Sequence, residues 1–204
     1  MRKLTVALAL ATAAAALATG TAGPASAAPE AGGPAAAGRH LTLHSWTLLN
    51  EHGPGPNPGE RLTALVDART VGGGAVGGGA GSGVTGAGRA RGHAVAQHVF
   101  DKDGTVRVEF DIDCLTVDAD GAVTATGPIE SVTLTRVGGQ PTVSHPDWHP
   151  QAGLTFYPAD GKGERRIGWA ASDTEHPDAP ARVTSCTPVP ADLWVIDGGT
   201  VLRR

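Results

Sequence analysis

The residues whose type and spacing come nearest to chemistry lie at 144–150, in the run Ser-His-Pro-Asp-Trp-His-Pro. His145, Asp147 and His149 offer two imidazoles and a carboxylate within five residues, and all three are acceptable zinc ligands. Pro146 and Pro150 make the run a loop, so spacing alone does not put the donors on one face. A zinc site here needs a further ligand from elsewhere, with His98 or His176 as the candidates. Such a loop is more often a polar turn, so no cofactor is assigned, and zinc is the alternative. A secreted hydrolase or metal-dependent enzyme centred on the loop is one function it allows.

Other constellations are explained by simpler structure. His40 and His44 are four apart but lack the glutamate of a metalloprotease helix. Gly81, Gly83 and Gly86 match the GxGxxG spacing, yet more glycine precedes them where a dinucleotide fold needs an apolar strand. No cofactor-binding residue is assigned there. Asp101, Asp103 and Gly104, like Asp118, Asp120 and Gly121, are turn formers without the remaining acids of a calcium loop. No GxSxG or SxxK motif is present, and neither cysteine has a catalytic-thiol motif around it. No catalytic residue is assigned, and a non-enzymatic role is favoured.

The two cysteines, Cys114 and Cys186, take their meaning from the compartment. Arg2 and Lys3 precede an apolar, alanine-rich stretch at 4–18, and Ala25, Ser26 and Ala27 supply a small-residue cleavage site. A signal peptide over 1–27 is the expectation, with a retained anchor as the alternative. The protein would then be secreted and extracellular, where an even pair of cysteines forms a disulfide. A free buried thiol or pairing between molecules are the alternatives. The closed loop would be long, and chain entropy would give it about 4 kcal/mol. The net charge is −4 with histidines neutral, and removing Arg2 and Lys3 leaves the chain still more acidic. Nucleic acid and anionic membranes both call for a basic face and are poor partners. A cell-wall component or a small molecule remains as ligand.

The elements that must position these residues read as strands. Val106, Val108, Phe110 and Ile112 alternate with Arg107, Glu109, Asp111 and Asp113, the period of a strand with one buried face. Asp103-Gly104 and Asp120-Gly121 flank that run as turns. Further strands are expected at 94–100, 114–117, 122–126, 129–137, 154–157, 167–170 and 182–186, with a terminal hairpin turning at 197–199. Gly127 and Pro128 are expected to break the chain. Residues 28–60 read as an Ala/Gly/Pro-rich leader with one strand or short helix at 41–50. Residues 61–204 then form the β-rich domain, with a glycine-rich segment at 72–92 that is either a loop or strand packed closely on a neighbour. About eight to eleven short strands at this spacing specify an all-β fold: a single antiparallel β-sandwich or barrel stapled by one disulfide.

Cys114-Leu115-Thr116-Val117, then the run 120–129, Asp160-Gly161-Lys162-Gly163, Ser185-Cys186 and Gly198-Gly199-Thr200-Val201 carry a resemblance. Over about 92–204 the chain resembles a group of small actinobacterial secreted β-rich proteins with a cysteine pair and no assigned activity. The resemblance implies secretion and a strand framework, and no catalytic residue. The reading is an extracellular β-domain that binds a ligand, a cell-wall component or a protein. A structural, envelope-associated protein with the leader as spacer is a further alternative.

Overall fold

Turn chemistry and period-two burial organise the whole folded region. The computed structural model describes residues 40–71 and 84–204, the side chains of 84–87 excepted. No helix occurs among the described residues. The strands are β1 (Thr42–Asn50), β2 (Glu60–Thr70), β3 (Val84–Phe100), β4 (Gly104–Asp111), β5 (Cys114–Asp118), β6 (Val123–Arg136), β7 (Thr142–Ser144), β8 (Gln151–Phe156), β9 (Arg166–Ala171) and β10 (Leu193–Arg203).

Each wall strand pairs antiparallel with the next in sequence, and β10 returns to pair with β1. The ring β1-β2-β3-β4-β6-β8-β9-β10 is therefore a closed eight-stranded up-and-down barrel. β5 continues β4 beyond Ile112 and Asp113, still between β3 and β6, and β7 pairs with the far end of β6. The ring closes through a short seam, Leu193 and Trp194 of β10 on Ile167 and Arg166 of β9, and beyond it β10 pairs with β1. Of the two all-β architectures the sequence allowed, the barrel is the one adopted.

The alternation read at 106–112 sets the inner face. Phe110 and Ile112 are buried, while Val106 and Val108 stand partly exposed at one mouth. Around the ring the same face carries Leu43, Leu62, Leu115, Ile129, Leu154 and Ile167, separated by Ala64, Ala68, Ala94, Ala96, Ala125 and Ala152. Burying each large side chain contributes roughly 1.5–3 kcal/mol. Alternating them with alanines lets layers from opposite walls interlock within a barrel of this width. Gly104 and Gly121 adopt φ of 116° and 90°, as the turns before β4 and β6 demand.

Several expectations are revised. β1 is a full member of the ring, so the folded unit begins ahead of residue 61, and 41–50 is strand rather than helix. In the glycine-rich segment, 84–92 is strand: a Cβ on Gly92 would lie 2.1 Å from the Asp67 carbonyl. The expectations for 1–39 and for 72–83, including the first half of the GxGxxG run, lie outside the described residues. Gly127 and Pro128 do not break β6. Gly127 lets the Asp111 carbonyl come close at the point where β6 changes neighbours from β5 to β4. The terminal hairpin is instead one strand. β10 is bulged at Ile196 and runs on through Asp197 and Gly198 paired with β1; Gly198, at φ 89°, lies where the Trp46 carbonyl leaves no room for a Cβ.

Residues 182–186 are not a strand either. They belong to a strap, 172–192, that joins β9 to β10 across the outer wall. Cys186 is bonded to Cys114 on β5, with Cα atoms 5.5 Å apart. The Cys186 amide donates to Thr126 Oγ1 on β6, and the Val189 amide donates to Thr155 Oγ1 on β8, both at 2.9 Å. Tyr157 donates its hydroxyl to the Val189 carbonyl at 2.6 Å, and burial is the main reason its pKa is pushed up. Val183 and Val189 pack over Gly153, and the strap backbone lies on Gly168 of β9. Here the wall is buried on both faces.

Candidate functional site

The barrel has two mouths. At the one formed by the ends of β1, β3 and β9 and the starts of β2, β4 and β10, a cavity of about 210 Å³ enters the interior. Leu62, Ala96, Phe100, Val106, Val108 and Trp169 line it, with His98 and Glu51 as its polar groups. All the strand residues among them lie on the inner face, because Leu62, His98 and Val106 are directly paired across β2, β3 and β4. Trp169 rests on the wholly buried Phe110, ring centroids 5.9 Å apart, and so is held from below. A second recess of about 570 Å³ shares Glu51 and Trp169 and is bordered by Arg182 and Asp192 of the strap.

His98 is the inward polar residue of this mouth. Its ring stacks on Phe100 at 3.8 Å, and its Nε2 lies 3.4 Å from Glu60 Oε2. Only 19% of its side chain is exposed, against 36% for Glu60. The pair thus places one hydrogen-bonding group beside an apolar chamber and anchors it outward. Next to it, Glu51 and His52 start the β1–β2 loop. Their ligand atoms and those of Glu60 all lie within 4.8 Å of one another.

The opposite mouth holds a cavity of about 220 Å³, lined by Val123, Phe156, Ile167, Val195 and Leu202 among others. Its two arginines are already engaged. Arg165 donates to the Gly198 carbonyl, while Arg166 donates to the Ala191 carbonyl and lies 3.7 Å over the Trp194 ring.

The loop of His145, Asp147 and His149 is not gathered around one point. His145 Nδ1 donates to the Glu130 carbonyl at 2.9 Å, and His149 takes a left-handed backbone, φ 48°. Neither candidate partner joins it: His98 faces Glu60 in the barrel mouth, and His176 pairs with Asp173 in the strap at 3.0 Å. Among the described residues, Glu51, His52 and Glu60 are the group of three ligating side chains close enough to share an ion. Sequence reasoning missed the mouth because its lining comes from strands spread over 51–169. The alternation of β3 and β4 was the available signal. Trp46 and Trp148 are exposed, on the outer wall and on the 145–149 loop.

The comparisons add no likeness: no family model, no curated protein and no solved structure matches the chain.

Proposed function

We propose that this chain is an extracellular, non-enzymatic binding protein whose barrel takes a small, mainly apolar molecule at the Trp169 mouth. The carrying observation is the cavity of about 210 Å³ walled by Leu62, Ala96, Phe100, Val106, Val108 and Trp169. Binding sites are typically concave and apolar with few convergent polar groups, and His98 with Glu51 supplies those. A dry cavity of about 150 Å³ accommodates benzene, so the chamber suits a ring compound or short aliphatic chain with one polar head. Eight strands leave an interior just wide enough for packing or for one small ligand. Here the short side chain of Ala96 helps to leave that room at one end.

Secretion belongs to the same proposal. It is supported by the signal-like segment at 1–27 and by the Cys114–Cys186 disulfide, a bond that persists in oxidising compartments. No helix among the described residues is long and apolar enough to cross a membrane.

The test is a titration of the oxidised protein with ring compounds from benzene to naphthalene, followed by ligand-observed NMR. Saturable binding is expected, and Ala96→Phe, which fills the chamber, should weaken it at least tenfold while preserving the β-type circular dichroism. Absence of saturable binding, or binding indifferent to Ala96→Phe, contradicts the proposal.

A further inference from the structure

We infer that Glu51, His52 and Glu60 form a binding site for a divalent transition cation of the zinc class at the rim of this mouth. The inference stands on the donor set and its support, and it is independent of whether the apolar chamber holds a ligand. The three ligand atoms lie mutually within 4.8 Å, so small side-chain rotations bring them to the roughly 2.0–2.2 Å metal–ligand distances of a shared ion. One imidazole with two carboxylates favours zinc-class ions over calcium, which takes six to eight oxygens.

Two features hold the donors near one another. Asn50, buried at the end of β1, accepts from the His52 amide at 2.9 Å and donates through Nδ2 to the Gly55 carbonyl, which fixes the turn presenting His52. Glu60 opens β2 and shares a hydrogen bond with the largely buried His98 at 3.4 Å. Such an outer partner orients a ligating carboxylate and keeps it from swinging into solvent. Glu51 and His52 are exposed and Glu60 is half-buried, and the two chain segments that carry them converge beside a second imidazole, His98. Three protein donors leave a tetrahedral ion one position for water or another donor atom.

The experiment is calorimetric titration of the untagged, oxidised protein with zinc chloride, and separately with calcium chloride. One zinc per chain is expected, with calcium at least a hundredfold weaker. His52→Ala and Glu60→Gln should each weaken zinc at least tenfold. His149→Ala, in the 145–149 loop, should leave it unchanged. Zinc should also raise the melting temperature of the unsubstituted protein and not that of His52→Ala, a readout that does not require any apolar ligand. No zinc uptake, several weak sites, or one site unaffected by His52→Ala and Glu60→Gln would overturn the inference.

Discussion

Glu109 illustrates how a single outward side chain on β4 shapes the pH response. Arg107 Nε donates to Glu109 Oε1 at 2.6 Å, and His93 lies 3.5 Å away on β3. The Arg107 hydrogen bond is the chief reason that Glu109 stays ionised below its ordinary value of 4.5. A carboxyl whose folded value is depressed adds stability above the unfolded value, and that stability is lost as pH falls through the folded one. Glu109→Gln should therefore cost about 0.2–1 kcal/mol at pH 7, the range of partly exposed ion pairs, and less at pH 3. Urea unfolding at the two pH values checks this, and an equal loss at both would refute the ion-pair account. The alternation that placed Glu109 outward is local and so was legible. Its partner His93 lies across a strand pairing that the sequence does not state.

At the scale of elements, the strap is the feature that sequence reading described least well. The residues that receive it are Thr126, Gly153, Thr155 and Gly168, small side chains that look ordinary in a strand. Their message is spatial: Gly168 admits the crossing backbone, Gly153 admits the Val183 and Val189 side chains, and two threonines accept from its amides. The disulfide was legible because only two cysteines exist, yet what it fastens was not. A Cβ on Gly168 would lie 2.2 Å from the Val189 carbonyl, so Gly168→Ala must push the strap outward. Overpacking of this kind costs about 1–3 kcal/mol. Cys186→Ser with Cys114→Ser should cost more, up to about 4 kcal/mol for a loop of this length. Hydrogen exchange offers the sharper reading: the Cys186 and Val189 amides should lose protection in both variants, while the β2–β3 ladder keeps its own. Unchanged protection at Val189 in Gly168→Ala would show that the strap does not bear on that glycine. The bulge in β10 was misread for a related reason. Asp197, Gly198 and Gly199 spell a turn locally, but pairing along β1 carries the strand on through them.

For the whole molecule, the β class followed from period-two burial and frequent Asp-Gly turns, which are properties of neighbours in sequence. The choice of barrel over sandwich depends on β1 meeting β10, a contact between the two ends of the folded region. No local pattern reports that contact. The mouth has the same origin, since closure alone brings Leu62, His98, Val106 and Trp169 around one chamber. The loop at 145–149 drew notice because its donors are adjacent in sequence. The rim trio draws on one acid from β2 and two residues that follow β1, so only the fold assembles it.

The account stands most directly on which end of the barrel receives a ligand. Amide and methyl chemical shifts of the labelled, oxidised protein, recorded during titration with naphthalene, read that out residue by residue. The expected changes concentrate at Ala96, Val106 and Val108 and at the Trp169 indole. Shifts confined to Val123, Ile167 and Val195 at the opposite mouth, or none at saturation, would contradict it.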